Sequence, residues 1–67
     1  LSDPTELIAL VSRILDENPT QIADYFAGKS KMFGFFVGQV MKESAGKANP
    51  ALVNEILKEQ LEKRRQA

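Results

Sequence analysis

The chain contains no histidine, no cysteine and no tryptophan. Without histidine or cysteine the commonest acid–base and nucleophile pairs are missing, as is thiolate or imidazole ligation of a metal. Without cysteine no disulfide reinforces the fold, an absence that fits a reducing compartment. Long apolar runs are lacking too. The best candidate, residues 32–41, is interrupted by Gly34, Gly38 and Gln39. It falls well short of the roughly 20 residues needed to cross a bilayer. No signal-peptide order opens the chain, so the expected location is cytoplasmic. The first residue is Leu1 rather than methionine, which suggests a piece of a larger protein. At 67 residues there is room for one domain with one modest core. Such a core leaves a net stability of about 3–5 kcal/mol.

Charge of one sign is scarce in each half. Residues 1–27 carry Asp3, Glu6, Asp16, Glu17 and Asp24 against Arg13 alone. Residues 28–67 carry Lys29, Lys31, Lys42, Lys47, Lys58, Lys63, Arg64 and Arg65 against Glu43, Glu55, Glu59 and Glu62. The halves cancel in net charge, yet the polarity permits a basic side that faces phosphate.

Three prolines punctuate the chain, each after an acid or amide: Asp3-Pro4, Asn18-Pro19 and Asn49-Pro50. An Asp or Asn side chain accepts from the free amides of a first helical turn, and proline fits next because its missing amide would be unpaired there. Glu6 and Gln21 stand three residues after Asp3 and Asn18, as in a capping box. Apolar residues then recur at helical spacing. Leu7, Ile8, Val11, Ile14 and Leu15 predict a helix over 4–17. Ile22, Ala23 and Phe26 predict one over 19–27, stopped by Gly28. Phe33, Phe36, Val37, Val40 and Met41 predict one over 30–44, stopped by Gly46. Leu52, Val53, Ile56, Leu57 and Leu61 predict one over 50–64. The predicted fold is all-α, a compact bundle of about four helices. The final charged run, 62–67, is expected to fray.

The third helix is apolar on most sides, which predicts a central position covered by its neighbours. Gly34 and Gly38 lie four apart within it. Glycine costs about 1 kcal/mol relative to alanine inside a helix, so another backbone is expected to approach closely there. Gly38 and Met41 are read as packing residues. The connection Ser44-Ala45-Gly46-Lys47-Ala48-Asn49 is small and expected to be flexible.

No catalytic constellation emerges. Glu55 and Glu59 share a helix face but read best as a solvated surface pairing with Lys58 and Lys63. Gly34, Gly38 and Gly46 make no phosphate loop, since no strand precedes them and no Gly-Lys-Ser/Thr follows. No helix presents the row of Arg, Lys, Asn and Gln that a helix-turn-helix DNA binder needs.

Several motifs carry a resemblance. They are Gly28-Lys29, then Phe36-Val37-Gly38-Gln39-Val40-Met41-Lys42, then Gly46-Lys47-Ala48-Asn49-Pro50, then Leu52-Val53-Asn54 and Leu57. This pattern resembles the GatB/YqeY family, and most of all the C-terminal tail of its B subunits of aspartyl/glutamyl-tRNA amidotransferases. The likeness runs from about Ser2 to Leu61. The Val-Gly-Gln-Val-Met-Lys and Gly-Lys-Ala-Asn-Pro pieces together carry its specificity. Phe33 and Phe35 are bulkier than the family pattern around that motif.

The resemblance implies a part of a multi-subunit enzyme that converts Glu-tRNA(Gln) or Asp-tRNA(Asn) to the amide form. ATP activates the side-chain carboxylate, and ammonia released from glutamine on another subunit displaces phosphate. Both steps belong to other domains. The tail would hold tRNA, take no cofactor, bind no metal, carry no activity of its own and be monomeric when isolated. Its partners would be tRNA and the other domains and subunits. The implied tRNA-contact residues are Lys42 and Lys47, then Lys29 and Lys31. Such contacts position RNA without reading sequence. Gln39 is expected to bond a neighbouring helix end. The alternative is a protein-interaction module, including a stand-alone YqeY-like protein, with an exposed apolar patch that includes Phe35 or Tyr25.

Overall fold

Each Asp/Asn-Pro pair begins a helix in the computed structural model, which describes residues 3–67. Leu1 and Ser2, the start of the domain expected over 1–67, lie outside the described residues. The helices are α1 (Pro4–Glu17), α2 (Pro19–Phe26), α3 (Lys31–Glu43) and α4 (Pro50–Gln66). No strand occurs among the described residues.

The caps divide into two kinds. Asp3 Oδ1 accepts from the Thr5 amide at 2.9 Å, and Asn49 Oδ1 accepts from Ala51 and Leu52 at 3.0 and 3.3 Å. These satisfy amides that no helical carbonyl reaches. Asn18 departs from the expectation. Its side chain makes no bond to the start of α2. Instead its Nδ2 donates to the Ile14 carbonyl at 2.7 Å, and its backbone amide donates to Leu15 at 3.1 Å. Only Asn18 separates α1 from α2, so one residue must serve both ends. The last carbonyls of α1 claim its amide group, and Pro19 with the first turn of α2 goes without a side-chain cap.

Two helices end in the same hydrogen-bonded turn. After α2, Gly28 at φ +107° donates to Tyr25 and Lys29 donates to Asp24. After α3, Ala45 donates to Lys42 and Gly46 to Met41, at 3.1 and 2.8 Å. Both are Schellman pairs, which close a helix through a left-handed residue. Gly28 takes that place as predicted. In the second turn the closing residue is Ala45, at φ +54°, one position before the expected Gly46. Gly46 is left-handed as well, at φ +76°. The connection that follows is tied down. The buried Ser44 hydroxyl donates to Met41 at 3.2 Å and accepts from the Ala48 amide at 3.3 Å, and Ala48 is itself buried.

The core comprises Leu7, Val11, Ile14 and Leu15 of α1, Phe36 and Val40 of α3, Ala48, and Val53, Ile56, Leu57 and Leu61 of α4. Ile8, predicted within the α1 stripe, is 40% exposed. Ala23 also faces solvent. α2 buries no residue fully; Ile22, Tyr25 and Phe26 lean on the core from its edge. α3 packs against α1, α2 and α4, as its apolar sequence predicts. Only Phe36 and Val40 of α3 are fully buried, while Met32, Phe33, Phe35, Val37 and Met41 are half-buried around them.

The last turn of α4 continues past Arg64, although the charged run was expected to fray. Arg64 donates to Asp16 at 2.8 Å and to the Ser12 carbonyl and hydroxyl at 3.3 Å. The Arg65 guanidinium lies 4.9 Å from the Phe26 ring centre, a cation–π distance. These contacts fasten the end of α4 to α1 and α2.

Candidate nucleic-acid interface

The four lysines singled out by the sequence fall in two pairs at opposite ends of α3. Lys29 closes the turn after α2 and Lys31 opens α3. Lys42 lies in the last turn of α3, and Lys47 follows in the connection to α4. All four are exposed. A rise of about 1.5 Å per residue puts Lys31 and Lys42 about 16 Å apart along the axis. The pairs are thus two charged ends of one helix rather than a single cluster.

Partner choice separates Lys29, Lys31 and Lys42 from most other cations. Every arginine holds a carboxylate. Arg13 reaches Glu17 at 3.3 Å and Glu43 at 2.6 Å, Arg64 reaches Asp16, and Arg65 reaches Glu62. The hydrogen bond to Glu43, and after it the charge of Glu17, raise the pKa of Arg13 above its ordinary value. Lys63 pairs with Glu59 at 3.4 Å, as the solvated-face reading of that helix expects. Lys29, Lys31 and Lys42, like Lys58 on α4, stand in no ion pair among the described residues.

The outer face of α3 connects the two pairs. Lys31, Phe35, Gly38 and Lys42 recur at intervals of four, three and four. At about 100° per residue they fall within about 60° of one another, opposite Phe36 and Val40. Gly34 lies at the margin of this stripe. Both glycines are exposed, and a Cβ added to either would meet nothing within 4 Å. The close helix approach expected at Gly34 and Gly38 is therefore absent, because both face away from the core that Phe36 and Val40 enter. Gly38 is not a packing residue of this chain. Met41 is half-buried against the core. The result is a helix surface bare of side chains over two positions, with Lys31 unpaired at one end and Lys42 unpaired at the other.

Gln39 makes no hydrogen bond to a neighbouring helix end among the described residues; it is half-buried and unpartnered. Phe35 and Tyr25, expected in an exposed apolar patch, are both half-buried. The Phe35 ring meets Phe36 edge-on at 5.5 Å, and Tyr25 lies 6.3 Å from Phe33. The described residues form no pocket, and no group of carboxylates among them could hold a metal ion. No described helix is long and apolar enough to cross a membrane. The bare glycine strip is a feature that spacing alone did not predict. Its one signal in the sequence is that Gly34 and Gly38 fall opposite Phe36 and Val40 on the helical wheel.

Comparison with known proteins gives a consistent result. Residues 1–61 match the family described as GatB domain. The B subunit of the aspartyl/glutamyl-tRNA(Asn/Gln) amidotransferase of Macrococcus caseolyticus is 58% identical, over 96% of this chain and 14% of that relative. The B subunit of the chloroplastic/mitochondrial glutamyl-tRNA(Gln) amidotransferase of Ricinus communis is 58% identical, over 88% of this chain and 11% of the relative. The corresponding Neorickettsia sennetsu protein is 51% identical, over 97% and 13%. The chain thus spans 11–14% of the length of these relatives. No solved structure matches it.

Proposed function

The chain belongs to the GatB domain family, and from that premise we propose that it is a tRNA-holding domain from the B subunit of an aspartyl/glutamyl-tRNA amidotransferase. In this role it grips the body of Glu-tRNA(Gln) or Asp-tRNA(Asn) in the cytoplasm while other domains and subunits perform the ATP-dependent amidation. It supplies no catalytic group and takes no cofactor.

The observation that carries this reading is the set of exposed lysines at the two ends of α3, with Lys29, Lys31 and Lys42 outside any ion pair, in a chain whose arginines are all engaged by carboxylates. Cations left free of internal partners are available to displace counterions from phosphates. Folded RNA is recognised largely by shape and backbone contact. A helix face stripped of side chains at Gly34 and Gly38 lets a ribose–phosphate backbone approach closely between the lysine pairs.

An NMR titration of the chain with unacylated tRNA, at low and moderate salt, tests the proposal. Shifts should concentrate at Lys29, Lys31, Lys42 and Lys47, and affinity should fall steeply with salt. Lys42→Glu with Lys47→Glu should weaken binding while the helical circular dichroism stays unchanged. A double variant that titrates like the parent would remove the assigned patch.

A second reading is a protein-docking module. The exposed Ile8 and the half-buried ring of apolar residues around the core favour it. Its binding would be insensitive to salt and would map to α1 and α2 rather than to the ends of α3.

A further inference from the structure

The lysines account for attraction to a polyanion but leave two neighbours on the same helix face unexplained. Phe35 lies between Lys31 and Lys42 on the outer stripe of α3, one turn after the first and two turns before the second. Its ring is half-buried against the core, T-shaped to the fully buried Phe36 with centroids 5.5 Å apart. Gln39 lies one further turn along, half-buried and without a hydrogen-bond partner among the described residues. Gly38, three residues after Phe35, adds no side chain to the same stripe, and a Cβ there would enter open space.

A partly exposed aromatic ring on the same helix face as two cations in no ion pair, with an amide one turn on that has no hydrogen bond among the described residues, suits one chemical class. It is an unstacked nucleobase whose own phosphates reach the lysines. Paired bases in an RNA helix present no free face, whereas loop bases stack on aromatic side chains and offer their edges to amides. Phosphate contact alone would use neither Phe35 nor Gln39. An apolar protein segment would gain from Phe35 but not from Lys31 and Lys42.

Resting on the tRNA-holding reading above, we infer that Phe35 is a stacking platform for an unpaired loop nucleobase of the bound tRNA, with Gln39 hydrogen-bonding that base's edge. The site therefore takes a splayed loop of RNA rather than a duplex segment. Lys31 and Lys42 hold the backbone on either side, and Gly38 keeps the approach to the ring clear.

The chain has no tryptophan, so Phe35→Trp installs a single reporter at the site. Its fluorescence should be quenched by unacylated tRNA and left unchanged by heparin, a polyanion without bases. In the unlabelled chain, Phe35→Leu should weaken tRNA binding roughly 5- to 150-fold, the range for losing one base–aromatic stack. The salt slope should stay as in the parent, because the number of phosphates held is the same. Phe35→Tyr should restore parental affinity, and Gln39→Ala should weaken binding with the fold intact.

Other outcomes overturn the inference in distinguishable ways. If Phe35→Leu binds like the parent and the tryptophan is unquenched, while Lys31→Glu with Lys42→Glu abolishes binding, stacking is wrong and the tRNA-holding reading stands. If heparin quenches as well as tRNA does, the response is electrostatic and stacking is again wrong. If the tryptophan is quenched or blue-shifted in the full-length protein without RNA, Phe35 is a protein-docking residue. If the parent chain binds no tRNA, both the inference and the reading it rests on fail. Should Phe35→Leu prove unfolded by circular dichroism, the tryptophan and tyrosine variants, which keep an aromatic ring, still decide.

Discussion

At the residue scale, Ala45 stands where geometry favours another side chain. Its φ of +54° closes the turn after α3. A left-handed backbone costs a residue with a Cβ about 1–2 kcal/mol, while glycine adopts it freely and gives back about 0.5–1 kcal/mol in unfolded-state entropy. Ala45→Gly should therefore stabilise the chain by up to about 1 kcal/mol, seen as a higher urea midpoint with an unchanged slope. Arg64 presents the opposite case, a residue with more contacts than its surface position suggests. Its guanidinium serves Asp16 and Ser12, but its Nε is buried without a partner. Asp16→Ala removes only a largely exposed ion pair and should cost under about 1 kcal/mol. Arg64→Ala also strips the packed stem and the Ser12 bonds, so about 1–2 kcal/mol is expected. Arg64→Met keeps the stem and deletes the orphan N–H, and should fall between them. Chemical denaturation of the three variants checks that order.

At the element scale, α3 carries a cost that the fold does not repay. Gly34 and Gly38 sit mid-helix, exposed, with open space beside them. No neighbouring helix uses the room they leave. Gly34→Ala should stabilise by about 1 kcal/mol. That is a rise of about 4–8 °C in the thermal midpoint of a domain this size. A drop would mean that the backbone there is engaged in a way the structure does not contain. Retaining two destabilising residues on a solvent face is the trade expected where a surface serves binding rather than stability. Asn18 shows a related conflict between elements. With a one-residue connection, capping the end of α1 excludes capping the start of α2. α2 is accordingly the helix with no fully buried residue, held to α3 by half-buried aromatics.

At the scale of the whole molecule, eleven buried apolar residues carry the core. A margin of about 3–5 kcal/mol is what a domain of this length commands. Phe36 is the largest fully buried side chain and the one through which α3 enters that core. Phe36→Ala should cost about 3–5 kcal/mol, comparable with the whole margin. The variant should be substantially unfolded at 25 °C by circular dichroism, and a cooperative melt near the parent's would refute that assignment. The same thin margin shapes the binding experiments. Substitutions of Lys31, Lys42 and the glycines on the outer face of α3 are informative because they leave Phe36 and Val40 untouched, whereas Phe35 touches Phe36 and its variants need the fold checked.

The sequence by itself determined the helices, since each start is a local matter of an acid or amide, a proline and the first turn. It also determined most of the core, because apolar residues at helical spacing have one face to bury. The charged ends of α3 were legible as residue types at known positions along one helix. Three features were decided only by tertiary structure. The side to which Gly34 and Gly38 turn depended on where α1, α2 and α4 pack around Phe36 and Val40. The end of α4 depended on contacts from Arg64 and Arg65 to partners up to 52 residues away in the chain. The pairing of Arg13 with Glu43 and of Arg64 with Asp16 followed from the same packing, and among the described residues no carboxylate is brought to Lys29, Lys31 or Lys42. Spacing in sequence says which residues share a helix face, but only the neighbours of that helix determine whether the face meets the core or the solvent.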